Sequence, residues 1–249
     1  MTGASSSLME HASGISLKSF PQPSVAIVFG AGGGIGSALV EALRSAGRFE
    51  QVIGFSRSSS PSINLLDEAS LERAASSVST KYEVRFVIDA TGFLHDEQQG
   101  PEKTWRQLDA ARLARAFALN AIGPALIMKH VLPLLPRTGK AVFATLSARV
   151  GSIGDNRLGG WYAYRASKAA LNQLVRTAAV ELARRAPEAV CVALHPGTVA
   201  TPLSAPFADT GLDVHAPSEA ASHLLAVVDG LTAEASGGFF DWRGQPVPW

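Results

Sequence analysis

The run Val25-Ala26-Ile27-Val28-Phe29 leads directly into Gly30-Ala31-Gly32-Gly33-Gly34-Ile35-Gly36, after which an amphipathic pattern begins at Ser37-Ala38-Leu39. The apolar run reads as a buried strand, the glycines as a tight turn, and the amphipathic stretch as a helix. That order is the opening of a βαβ unit in a parallel sheet. Glycines at such a turn let the backbone approach a pyrophosphate, whose charge meets the free N–H groups and the positive dipole end of the helix. Taken alone, the glycines would support only a tight strand-to-helix turn. A second strand over 51–56 completes the unit and points to a dinucleotide site at Gly30, Gly34, Ile35 and Gly36.

From Ser24 onward, short β-rich runs alternate with longer helical patterns. The pattern predicts strands near 24–30, 51–56, 62–65, 84–91, 140–147, 188–195 and 237–241, with helices near 35–47, 67–78, 104–134, 161–185 and 217–231. Asp67 and Ser218 are the expected N-caps of two of them. The fold class that follows is α/β: one Rossmann-type, doubly wound parallel sheet of about seven strands with helices on both faces. The chain has 249 residues, 47% of them hydrophobic, enough for one such domain. That domain is expected over residues 22–249. Residues 1–21, rich in Ser and Gly and lacking the apolar centre of a secretory signal, are expected to be a flexible extension.

Composition limits what the domain can do. A formal net charge of +1 gives no field for recruiting nucleic acid or an anionic membrane. The most apolar stretch, 118–135, is interrupted by Asn120, Lys129, His130 and Pro133, so no membrane span is expected. Cys191 is the sole cysteine and lies in an apolar run, which excludes an internal disulfide and fits a cytoplasmic protein. The six histidines show no ligand spacing, and no metal is expected.

Two further positions refine the ligand and the chemistry. About twenty residues past the glycine turn, an NAD site would place a carboxylate on the ribose 2′-hydroxyl. Here the strand ends in Ser56-Arg57-Ser58, and no carboxylate follows until Asp67. A guanidinium there can hold a 2′-phosphate, so NADP(H) is the expected cofactor. Tyr164 and Lys168, four apart at the start of a helical pattern, share one helical face. A phenol titrates near about 10, and an adjacent ammonium would lower it toward useful acid/base chemistry.

Gly30 to Gly36, Asn120, Ser147, Tyr164-Arg165-Ala166-Ser167-Lys168 and Pro196-Gly197 with Thr201 together resemble the short-chain dehydrogenase/reductase pattern. Leu146-Ser147-Ala148-Arg149-Val150-Gly151-Ser152-Ile153, Gly159-Gly160-Trp161-Tyr162 and the ending Phe240-Asp241-Trp242 to Pro248-Trp249 resemble its C-factor-like and sniffer-like carbonyl reductases. The resemblance implies a catalytic set of Asn120, Ser147, Tyr164 and Lys168. Tyr164 would be the acid/base, Lys168 would lower its pKa and hold the nicotinamide ribose, Ser147 would polarise the carbonyl, and Asn120 would hold a relay water. It also implies that Ala90 and Gly92 floor the cofactor, that Pro196, Gly197, Val199 and Thr201 reach the nicotinamide amide, and that Asn64 stands at an adenine-binding position. The implied reaction is hydride transfer between nicotinamide and a small carbonyl or alcohol, in a dimer or tetramer built on the helices near 104–134 and 161–185.

The match has departures. Phe29 stands where many members carry Thr, and Asp89-Ala90-Thr91-Gly92 replaces Asn-Asn-Ala-Gly. Ala148 occupies the usual serine position three residues before Gly151, which makes Ser147 the favoured catalytic serine and Ser152 the fallback. These departures leave open an alternative, a nucleotide-binding regulatory protein with little catalysis. Leu203, Pro206, Phe207 and Leu212 suggest an apolar lid over the substrate.

Overall fold

The computed structural model describes residues 15–79, 81–96, 100–204 and 214–249. Strands β1 (Ser24–Phe29), β2 (Gln51–Phe55), β3 (Glu83–Asp89), β4 (Ala141–Leu146), β5 (Ala189–His195) and, later in the chain, Phe239–Asp241 form one six-stranded sheet. Between β5 and that last strand, β6 (Thr198–Val199) and β7 (Val214–His215) pair as a separate two-stranded sheet, so the sixth strand of the main sheet is β8. All pairs in the main sheet are parallel, in the order β2-β1-β3-β4-β5-β8. The chain winds outward from β1 in both directions, which opens a crevice past the carboxyl ends of β1 and β3.

Helices α1 (Gly34–Ala46), α2 (Glu68–Ser76), α3 (Ala110–Phe117), α4 (Gly123–Val131), α5 (Tyr162–Arg185) and α6 (Pro217–Gly230) cover the sheet. Period-two side chains explain the layering. Val25, Ile27 and Phe29 of β1 join one core with residues of α2, α4 and α5, while Ala26 and Val28 join another with α1 and α6. Both faces of the sheet are therefore dry, as an all-parallel sheet requires.

Three expectations need correction. The segment 62–65 is a loop, not a strand: Ser70 Oγ bonds both the N–H and the C=O of Asn64, and Ile63 alone is buried from it. The helix expected over 104–134 is broken, because Thr104 caps a short 3₁₀ turn (Trp105–Gln107) and Asp109 then caps α3 afresh. A π-helical turn (Ala118–Ile122) joins α3 to α4. Asp67 does cap α2, but α6 starts at Pro217 from Ala216, whose N–H is taken by Glu219, and not from Ser218. The described end of the expected extension packs on the domain: Leu17 and Phe20 are fully buried, and Asp229 accepts hydrogen bonds from Ser19. Residues 1–14 lie outside the described residues, as do Pro206, Phe207 and Leu212 of the suggested lid.

By length and hydropathy, Ala110–Leu134 could cross a membrane. In the fold its apolar side chains Ile127, Met128 and Val131 pack into the core instead.

Candidate active site

The glycine turn sits at the mouth of the crevice. Gly30 has φ +80° and passes so close to β3's exit that a Cβ there would lie 2.9 Å from the Ala90 carbonyl carbon. At Gly36 a Cβ would fall 2.1 Å from Gly30 O, so no other residue fits. No side chain caps α1 at Gly33, which leaves the first N–H groups and the positive end of the helix dipole for a ligand. Thr201, after β6, closes over this turn, its Cγ2 2.8 Å from where a Gly34 Cβ would be. Gly197 (φ +81°) lies under Trp242 and His215, and Val199 is buried. A side-chain-free cradle at an open helix N-terminus fits a dinucleotide pyrophosphate.

At the other end of the cradle, Gly32 lies against Ser56, whose Oγ accepts from Ser58 N–H at 3.2 Å. Arg57 is exposed beside them. Asp67, the first carboxylate after β2, is engaged in capping α2 by accepting from Ala69 N–H. Asn64 is exposed, and its Oδ1 accepts from Leu66 N–H at 3.0 Å, which closes the turn before α2.

Tyr164 and Lys168 rise from the first turns of α5. Lys168 is 2% exposed, donates from Nζ to Leu146 O at 2.7 Å, and lies 6.0 Å from the centre of the Tyr164 ring. Gly92 completes the approach: its Cβ position is 3.9 Å from Lys168 Nζ and 4.0 Å from Asn120 Oδ1. Burial pulls Lys168 down to about 8, with the negative Asp89 opposing the drop. Burial pushes the Tyr164 phenol up to about 12. Lys168 thus lies on the Tyr164 face of the helix with its ammonium drawn to the Leu146 carbonyl, while desolvation acts at the ring.

Asn120 lies buried in the π-helical turn. Its amide accepts from Phe93 N–H and donates to Phe93 O, both at 2.8 Å, and donates to Ser167 Oγ at 3.1 Å. It ties the end of β3 to α5. Ser147, at the end of β4, gives its hydroxyl proton to Asn172 Oδ1 at 2.7 Å. Ser152 is equally buried, and its Oγ accepts from Asp155 N–H.

Asn172 escaped the sequence reading, and Asp89 entered it only as a departure from the family pattern. Asn172 stands one turn beyond Lys168, so extending the Tyr164 face by four more residues would have found it. Asp89 is fully buried, accepting from Thr91 N–H, Thr91 Oγ1 and Thr145 Oγ1. Its burial depends on a neighbouring strand and carries no local signal. Beside Tyr164 opens a cavity of about 880 Å³, lined among others by Phe93, Glu102, Arg112, Arg115 and Ala163. Among the described residues no group of three His, Cys, Asp or Glu side chains gathers as a metal site would.

A family model described as enoyl-(acyl carrier protein) reductase matches residues 38–229. The C-signal of Myxococcus xanthus is 42% identical over 142 residues, 57% of this chain and 81% of that protein. The 1-hydroxy-2-glutathionyl-2-methyl-3-butene dehydrogenase of Rhodococcus sp. (strain AD45) is 33% identical over 191 residues, 76% of this chain and 79% of that one. The NADPH-bound carbonyl reductase from chicken fatty liver superposes with a TM-score of 0.78 at 25% identity, covering 91% of this chain and 100% of its own. The match takes in most of α1, Asn120, Ser147 and the Tyr-Lys helix, and the chain belongs to the short-chain dehydrogenase/reductase family of oxidoreductases.

Proposed function

We propose that the protein is an NADP(H)-dependent carbonyl reductase in which Tyr164 is the proton donor. The observation that carries this reading is the approach of Lys168 Nζ and Asn120 to Gly92, at the rim of the cradle formed by Gly30 to Gly36. A phenol-bearing helix turn beside that crevice supports a nicotinamide lying there. When bound, the reduced nicotinamide supplies a hydride to a carbonyl carbon.

The chain's residues do the rest. Tyr164, protonated near neutrality as a phenol is, gives its proton to the growing oxyanion. Ser147 can stabilise the same oxygen by turning its proton from Asn172 to the substrate, and Ser152 is the alternative donor. Asn120 fixes the end of β3 against α5. Arg57, Ser56 and Ser58 would hold the 2′-phosphate, with Asn64 at the adenine side. The proposal extends to a cytoplasmic homo-oligomer paired through the outer faces of α4 and α5, where Leu174 is exposed.

The test is Tyr164→Phe. It is expected to abolish NADPH-coupled reduction of aldehydes, ketones or quinones while NADPH binding is retained; an unchanged rate would remove Tyr164 as the donor. A second reading, a nucleotide-binding regulator, is favoured by the C-signal likeness and by the commitment of the Ser147 proton to Asn172. NADPH binding without turnover of any carbonyl on a broad panel would select it.

A further inference from the structure

The helix that presents Tyr164 begins without a side-chain cap at its own N-cap position. Trp161, at the cap position, has φ +52° and makes no side-chain cap, and the first turn contains no acidic residue. Helix starts of this kind leave N–H groups unsatisfied and a positive dipole end exposed. Here the missing partner comes from 61 residues earlier in the chain. Glu102 is 2% exposed, and its Oε2 accepts from the Ala163 N–H at 3.2 Å. Its backbone oxygen accepts from Trp161 N–H. Gly160, at φ +65°, would bring a Cβ within 3.3 Å of the same oxygen. On the opposite side, Arg165 donates from Nε to Gly160 O and from Nη1 to Val150 O. The turn carrying Tyr164 is thus clamped from two directions, and the Glu102 clamp is a buried carboxylate at a helix N-terminus, where charge and dipole agree.

We infer that Glu102 is a positioning residue for the proton donor: by capping α5 at Ala163 it fixes the direction in which the next residue, Tyr164, enters the cavity. Glu102, Ala163 and Tyr164 line the same cavity, so the loop that bounds the substrate space also sets the height and tilt of the phenol within it. This inference rests on the reductase reading for its effect on turnover, but not for its effect on the helix end.

The experiment compares two substitutions of similar volume in the full chain. Glu102→Gln keeps an oxygen that can accept from Ala163 N–H, whereas Glu102→Met fills the space without one; Glu102→Asp, with its shorter reach, gives a graded third variant should the Met variant fail to fold. Hydrogen exchange over residues 161–166, NADPH affinity, and kcat and KM for carbonyl reduction are measured together. Glu102→Met is expected to speed exchange of the α5 start about tenfold and to lower kcat by about ten- to a hundredfold, with NADPH affinity unchanged. Glu102→Gln is expected to restore most of both, and Glu102→Asp to fall between the two. Unchanged exchange in the Met variant, or in the Asp variant if Met does not fold, overturns the cap. Faster exchange with unchanged kcat overturns the positioning role, as does a kcat loss matched by equal loss of NADPH-binding protein. If the unsubstituted chain reduces no carbonyl, the reductase reading and the catalytic consequence fall together, and the exchange comparison still decides whether Glu102 holds the helix.

Discussion

Replacing Lys168 with Met separates what the amine costs from what it does. The ammonium is 2% exposed and burial holds it at about 8, against 10.5 for a free lysine. Below about pH 8 the folded and unfolded chains both carry the proton, and the folded state bears the whole penalty. Between about 8 and 10.5 the unfolded chain binds a proton that the folded chain does not, so wild-type stability rises with pH through that window. The difference of about 2.5 pKa units corresponds to about 3 kcal/mol. Lys168→Met is therefore expected to gain about 3 kcal/mol from charge removal at pH 7, less about 1 kcal/mol for the lost hydrogen bond to Leu146 O. The net gain is about 2 kcal/mol, or roughly 4–8 °C in melting temperature for a chain of this size. At pH 10 the charge contribution should shrink below about 1 kcal/mol. Activity should fall on the order of a hundredfold or more at every pH, because the gain in stability comes from dismantling the site. The assay is denaturant unfolding of both proteins at pH 7 and pH 10. A stability difference that is the same at the two pH values would refute the buried-charge argument.

Two other outcomes test the cofactor site. Arg57→Asp is expected to weaken NADPH binding at least about tenfold and improve NADH use, read by titration with each nucleotide; unchanged preference would show that Arg57 does not hold the 2′-phosphate. Gly36→Ala forces a Cβ to within 2.1 Å of Gly30 O, so it should cost more than about 3 kcal/mol and eliminate nucleotide binding, measured by thermal unfolding with and without NADPH.

The parts of the fold that were legible in the sequence are those written in local chemistry. The buried strand before Gly30, the steric demand at Gly36 and the four-residue spacing of Tyr164 and Lys168 each need only neighbours in the chain. The break between Trp105 and Ala110 was also encoded locally, since Thr104 and Asp109 are both capping residues. The helical period across 104–134 concealed it, because apolar spacing is preserved on either side of a restart. Asn120 was recognisable as a residue but not as the centre of a π-helical turn, whose extra residue depends on Phe93 and Ser167 meeting its amide. The surroundings of the Lys168 amine were illegible for a related reason. Spacing places Lys168 on the correct face, but the carbonyl of Leu146 that draws its ammonium lies on a strand that the helix sequence does not mention. Glu102 is the extreme case, a cap for α5 supplied from the far side of α3 and α4.

The buried N-terminal strap bears on how the domain divides its tasks. Phe20 packs against Phe49 and Phe86, Arg48 donates to Phe20 O from Nε, and Ser19 reaches Asp229 at the end of α6. These contacts gather where the strands of the sheet begin, whereas Gly30, Gly92 and Tyr164 gather where they finish. Cohesion is thus anchored at one pole and reactivity at the other. The opposite pole keeps the sheet and its helices together whatever the loops around the crevice become, and damage to either pole leaves a different signature: a domain that comes apart, or one that stays whole and falls silent.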